Sequence, residues 1–469
     1  MRPLQALIDW ATLAIQRHPQ VLRVGLSVAE YVVPERFRAK LPSSAAAVRE
    51  TFARPDDYWL GYLNAPKMKV GPFLLGMDPD PRYASERAAL VAALAAAPQQ
   101  AARYALYDAE RSARSLAQHL PRAGRTGRLE VAASFAEPVF ARALAHAFGV
   151  PAVGVPCPAF KQLEQRQDRE PLKLFIRTFG ATIGSTHPAP FGLEALAQKV
   201  EPHFRGHLEA ALKAHQNGTI AGLLPRIPRG PNPQPQETVL GRLREHRVFQ
   251  DDDGGSVRCI AGMLSASASF PKAFAYVLHE LLVRPAQLEC FVAAISAGDE
   301  ARVQAFVREA LRFRPPFPML VRHCPHASTL KATRGQFASG DQVAFFPAQA
   351  MFDRGLVPSA DQFDAQRPDE TYFLFGGAPR ECIGKDVIMS LFFPLFSALL
   401  KHVPQIFDAQ PGTFHYDGPV LDRYELTVPV RLSAPVALAA LPDVPTLSEL
   451  STFSQPPEPI QTALPESAE

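Results

Sequence analysis

Cysteine is scarce in this chain: among 469 residues there are five, Cys157, Cys259, Cys290, Cys324 and Cys382, with no C-x-x-C pair. An odd number of scattered cysteines argues against a disulfide framework or a structural zinc site and fits a reducing cytoplasm. A charge imbalance is also lacking. With 49 basic against 46 acidic residues and a net charge of +3, the composition gives no basic face for nucleic acid. Long apolar runs are absent where a membrane anchor would sit. The opening stretch MRPLQALIDWATLAIQRHP has an apolar face, but Asp9, Arg17 and Pro19 interrupt it. It falls short of the roughly 20 apolar residues of a span and has no small-residue cleavage site, so no membrane span is expected. Between residues 100 and 250 there is neither an internal repeat nor a phosphate-binding glycine loop.

What is present suits a globular protein with a large core, 47% hydrophobic and 20% charged. The most pointed stretch is FGGAPRECIG, residues 375–384. Cys382 lies after a short apolar run (residues 372–375) and before apolar positions at helical spacing: Val387, Ile388, Leu391, Phe392, Leu395, Phe396 and Leu399. These predict a helix from Lys385 to about Leu400. A thiol ligates or attacks only when deprotonated, and its pKa falls at a helix N-terminus beside a cation, here Arg380. Gly376 and Gly377 let the backbone approach a flat partner or turn its N–H groups to the sulfur. A buried cysteine in a tight strand-to-helix loop meets the same description, since free cysteine is among the most buried residue types.

This segment closely resembles the haem-ligand loop of the cytochrome P450 superfamily, with Phe375, Gly376, Arg380, Cys382 and Gly384 at matching positions and Ala378 replacing a glycine. A second match lies upstream in ARVQAFVREALRFRPPFPMLVR, residues 301–322. Glu309 and Arg312, three apart on a helix, can form a charge-assisted pair, as in the family's E-x-x-R element, with Pro315, Pro316 and Arg322 following. Arg367 matches the arginine that completes that network. A third match is PFLLGMD, a turn at residues 78–81 and a helix entered at Arg82 or Tyr83. There Tyr83 and Arg87 stand where a histidine and an arginine usually reach a haem propionate. The resemblance implies Cys382 as metal ligand to haem b (iron protoporphyrin IX), with Arg87, Arg322, Arg380, Tyr83 and Phe375 binding the cofactor.

Residues 257–285 predict a buried central helix, which the resemblance places across the distal face of the haem. The family's Ala-Gly-x-acid-Thr pattern fits in two registers. Ala261-Gly262 matches by eye, giving Leu264 and Ser265 at the last two positions. Counting back the family's usual spacing from Pro285 gives Ala268 at the acid and Ser269 at the threonine, the preferred register and the candidate catalytic pair. The acid is absent either way. Pro271 removes an N–H inside this helix and is expected to bend it at Ser267, opening room for a water.

The implied fold is mainly α with a minor β portion, the cytochrome P450 fold, as one large domain over residues 1–435. A Pro-, Ser- and Glu-rich tail follows over residues 436–469. Residues 191–215 read as a helix pair or a long helix broken at Pro202, residues 171–184 as part of a substrate roof or an ordinary core helix, and 225–239 as a Pro-rich surface loop. Residues 412–433 read as a hairpin turning at Asp417-Gly418, with Tyr424, Leu426 and Val428 alternating. The resemblance implies a monooxygenase that hydroxylates or epoxidises an apolar small molecule. Electrons would come from a separate ferredoxin- or flavodoxin-type partner and its reductase, docking near Arg380 and Lys385. The alternative is a peroxygenase, or an isomerase or dehydratase acting on a peroxide or pre-oxidised lipid-like substrate. A non-catalytic haem-binding protein is the third reading.

Overall fold

Proline sets where many helices begin. It stands in the first turn of α3 (Ala97–Ala117), α4 (Glu137–Phe148), α8 (Phe270–Leu282) and α9 (Pro285–Ser296), where a missing N–H costs nothing because that group has no partner in the helix. The other helices of the argument are α1 (Ala45–Ala53), α2 (Tyr83–Leu94), α5 (Leu193–Gln216), α6 (Val239–Glu245), α7 (Asp253–Ala266), α10 (Glu300–Phe313), α11 (Lys385–Ser390) and α12 (Phe392–His402). This structure, a computed structural model, describes residues 41–60, 73–78, 80–118, 120, 126–150, 193–220, 224, 233–250, 253–417 and 420–429. The lead-in before residue 41, the candidate roof at 171–184, most of the Pro-rich loop and the tail at 436–469 lie outside the described residues.

The strands are few and short. β1 (Gly127–Glu130), β7 (Val420–Val428) and β6 (Gln410–Asp417) form one antiparallel sheet, β2 (Leu320–His323) pairs with β5 (Gln342–Phe345), and β3 (Ser328–Leu330) pairs with β4 (Gly335–Phe337). The expected hairpin is thus β6–β7, and Tyr424, Leu426 and Val428 are all buried, as the alternation requires. Among the described residues, no helix is long and apolar enough to cross a membrane.

Phenylalanine builds the centre of the core. Phe270 stacks on Phe140 of α4 with ring centroids 4.5 Å apart and meets Phe392 of α12 at 5.1 Å. Phe274 stacks on Phe396 at 4.6 Å, and Phe291 of α9 meets Phe396 edge-on at 5.0 Å. Ring pairs of this geometry add about 0.5–1.5 kcal/mol each beyond the area they bury. This ladder fixes α8, which follows the candidate distal residues, against α12, which follows the cysteine.

Three helical expectations change. Residues 257–285 form two helices rather than one bent helix, α7 and α8, joined by a 3-10 turn at Ser267–Ser269. Pro271 falls in the first turn of α8, so the missing N–H ends one helix and starts another. The helix after Cys382 is likewise split at Leu391 into α11 and α12. Pro394 cannot donate to the carbonyl of Ser390 and crowds it, which closes the first segment there. Conversely, α5 runs from Leu193 to Gln216 with Pro202 inside it.

Candidate active site

Cys382 stands three residues before Lys385, the first residue of α11, and its own N–H donates to the carbonyl of Phe375 at 2.9 Å, closing the loop. Gly376 has φ 78°, a left-handed conformation that a side chain would strain. A Cβ at Gly377 would lie 2.8 Å from the Phe52 ring, so the glycine admits a close approach of α1 to the loop. The N–H groups that lower the thiol's pKa are those of Gly384 and Lys385.

The Cys382 side chain is exposed, yet burial is the first of the influences on its thiol and pushes the pKa up. The side chain thus has access to solvent while the loop around it crowds the sulfur enough for desolvation to dominate. Glu381 also raises the pKa, while the Gly384 and Lys385 N–H groups and the Arg87 guanidinium lower it. The net direction is upward, opposite to the sequence expectation, because desolvation of the thiolate outweighs the donors. The cation that acts on the sulfur is Arg87 rather than Arg380.

Arg87 reaches the loop from α2, where one of its terminal nitrogens donates to the Glu381 carbonyl at 2.8 Å. Arg380 forms an ion pair with Asp78 and lies over the Tyr83 ring at 4.6 Å. Tyr83 and Phe375 are half-buried against the core. Arg322, on β2, is buried and lies over the rings of Phe345 and Phe52, at 5.0 and 6.0 Å. The structure therefore gathers Cys382, Phe375, Arg380, Arg87 and Tyr83 directly, and Arg322 through Phe52. Ser269, half-buried, caps α8 without a side-chain capping bond, and Ala268 precedes it in the 3-10 turn.

Support for the loop comes from α10. Arg312 donates to both oxygens of Glu309, at 2.8 and 2.9 Å, and both side chains are fully buried. Arg312 also donates to the carbonyls of Met351 and Gln362, while Arg367 reaches Glu309 at 3.4 Å and the carbonyls of Pro358 and Ser359 at 2.9 Å. The Tyr372 hydroxyl donates to Glu309 at 3.1 Å, and the Asp364 N–H at 2.9 Å. Tyr372 stands three residues before Phe375, so the carboxylate grips the segment that enters the cysteine loop. Asp78 and Tyr372 were missed from the sequence. Asp78 lies in the PFLLGMD run already singled out, which was the signal available.

No family model matches the chain. In sequence it is 32% identical over 114 residues to the steroid 17-alpha-hydroxylase/17,20 lyase of Homo sapiens, covering 21% of this chain and 22% of that protein. It is 24% identical over 236 residues to cytochrome P450 165B3 of Amycolatopsis orientalis, covering 48% and 56%. The chain thus spans about a fifth to a half of the length of these curated relatives. In structure it is similar to P450BioI, solved in complex with hexadec-9Z-enoic acid ligated acyl carrier protein, with a TM-score of 0.65 and 15% identity over 89% of this chain and 100% of that one. It is also similar to cytochrome P450 CYP109Q5 from Chondromyces apiculatus, with a TM-score of 0.62 and 17% identity over 90% and 97%. The chain has the cytochrome P450 fold, and the resemblance to the cytochrome P450 superfamily read from its sequence is borne out.

Proposed function

We propose that this chain is a haem-thiolate oxidoreductase, in first place a cytoplasmic monooxygenase that hydroxylates or epoxidises an apolar small molecule with O2. The observation that carries this reading is Cys382, whose sulfur is accessible although burial raises its pKa, with the Gly384 and Lys385 N–H groups turned to it and Arg87 behind it. The same observation supports the fit to haem b, since an accessible thiol with Arg87, Arg322 and Arg380 near the loop suits a flat ring bearing two carboxylates. Cys382 would ligate the iron, and Arg322, Arg87, Arg380 and Tyr83 would bind the carboxylates, with Phe375 beside the ring. When bound, a thiolate-ligated haem supplies the activation of dioxygen or peroxide that oxygen insertion needs.

The rest is the work of side chains. Ser269 offers a hydroxyl that can hold or pass a proton, whereas Ala268 offers no such group, so water must complete the transfer. The break at Ser267–Ser269 and the burial of Leu264 in the core support the register that assigns Ser269 and Ala268 to these positions. Electrons would come from a ferredoxin- or flavodoxin-type protein with its reductase, meeting the face that carries Lys385. Residues 1–435 would form the haem domain and 436–469 a tail outside it.

The missing acid favours a second reading, a peroxygenase, or an isomerase or dehydratase working on a pre-oxidised lipid-like substrate. One experiment separates the two. Purified ferric protein is given a panel of apolar compounds with hydroperoxide alone, and separately with O2, NAD(P)H and surrogate ferredoxin and reductase. Turnover only in the second condition supports the monooxygenase, and turnover only in the first replaces it. The haem assignment is tested by the reduced protein with carbon monoxide, which should show the red-shifted Soret band of a thiolate ligand. Cys382→Ala should lose that band, and its persistence would overturn the assignment.

A further inference from the structure

The segment from Phe73 to Arg87 touches α7 on one side and the cysteine loop on the other. Two couples of adjacent residues divide that task. Met77 receives Arg258 of α7 at its sulfur, 3.5 Å away, while its neighbour Asp78 pairs with Arg380 of the loop. Glu86 receives Arg258 at 2.6 Å on one oxygen and the Cys259 thiol at 3.6 Å on the other, while its neighbour Arg87 bonds the Glu381 carbonyl. Glu86, Arg258 and Cys259 are 2%, 6% and 1% exposed. One turn further along α7, Gly262 lets the Phe73 ring lie against the helix, because a Cβ there would meet the ring at 2.3 Å.

Adjacent residues on a helix project about 100° apart. Holding Glu86 against α7 with directional bonds to both its oxygens therefore sets the rotation of α2 about its axis, and with it where the Arg87 guanidinium lands. A buried ion pair is a poor device for stability, since an apolar pair of the same volume often serves as well. Its use here is orientation.

We propose that the buried Glu86–Arg258 pair is a positioning element that couples α7 to the cysteine loop and sets, through Arg87, the surroundings of the Cys382 sulfur. The coupling rests on the haem-thiolate reading only for its purpose. Its existence is a property of the fold, and it is tested without assuming a cofactor.

The experiment uses the purified full chain with Glu86→Gln, and with the double variant Glu86→Leu plus Arg258→Met, which removes both charges together. Two quantities are read: the rate at which iodoacetamide labels the Cys382 peptide, followed by mass spectrometry, and the thermal midpoint. The reduced carbon monoxide spectrum is recorded alongside. Glu86→Gln is expected to change the labelling rate at least fivefold. The double variant should return close to the wild-type thermal midpoint while keeping the altered labelling rate. A double variant that restores both would reduce the pair to packing and overturn the proposal, as would labelling within twofold of wild type in both variants. If the wild type shows no thiolate band with carbon monoxide, the haem reading fails, and the labelling comparison still decides the coupling.

Discussion

Arg87 donates to the carbonyl oxygen of Glu381, 294 residues further along the chain, at 2.8 Å, and its charge lowers the pKa of the neighbouring Cys382 thiol. Arg87→Met keeps the stem and removes both effects. The thiol should then hold its proton to higher pH, by about one pH unit for the loss of one neighbouring charge. In carbon monoxide difference spectra across a pH series, the crossover from thiol-type to thiolate-type ligation should move upward by that amount. An unmoved crossover would assign Arg87 to bracing the loop alone.

Glu309 gathers Arg312, Arg367, Tyr372 and the Asp364 N–H around one fully buried carboxylate. Removing the acid leaves Arg312 charged and unpaired in the core, so Glu309→Ala should cost about 3–5 kcal/mol. Tyr372→Phe deletes one hydrogen bond to a charged acceptor and should cost about 1.5–3 kcal/mol. Urea midpoints of the two variants give the order directly. A Tyr372→Phe loss equal to that of Glu309→Ala would place the weight of the network on the tyrosine.

That network was legible in the sequence for Arg367 only through the family resemblance, and for Glu309 and Arg312 because a spacing of three on a helix brings two side chains together whatever the rest of the chain does. The β6–β7 hairpin was legible for the same reason, through alternation alone. Asp78 with Arg380, Arg87 with Glu381, and Glu86 with Arg258 were not. They join residues 302, 294 and 172 positions apart, and no local period carries such a contact. The helix breaks at Ser267–Ser269 and at Leu391 fall between the two cases. Pro271 and Pro394 were visible, but whether a proline bends a helix, ends it, or is absorbed as at Pro202 of α5 depends on what packs beside it.

His146 of α4 is 4% exposed, stacks on Tyr104 at 4.7 Å, and among the described residues has no hydrogen-bond partner at either ring nitrogen. Burial, helped by the charge of Arg103, lowers its pKa from 6.5 to about 4. Between those values the unfolded chain binds the proton and the folded chain does not, so stability is complete above pH 6.5 and lost as pH falls toward 4. The difference amounts to about 3 kcal/mol for this residue, and His279, also lowered to about 4 by burial, acts in the same direction. His146→Phe keeps the stack and removes the titration. It should match or exceed the wild-type urea midpoint at pH 7 and fall less steeply from pH 7 to 5. An unchanged slope would rule His146 out as a source of acid sensitivity.

Gly377 faces the Phe52 ring, and a Cβ there would come within 2.8 Å of one ring carbon and 3.1 Å of the next. Phe52 cannot swing away freely, because it packs edge-on against Phe345 at 5.4 Å and lies near Arg322 and Phe373. Gly377→Ala should therefore cost about 1–3 kcal/mol, the usual penalty for overfilling a packed site. It should also disturb the loop that holds Cys382, reducing the thiolate-type carbon monoxide band. Phe52→Leu alone removes ring volume and should destabilise by itself. If the clash is the cause, the double variant should be more stable than the sum of the two losses, by an interaction of 0.5 kcal/mol or more, the range for residues in contact. Strict additivity of the two would show that the loss in Gly377→Ala does not come from the approach of α1.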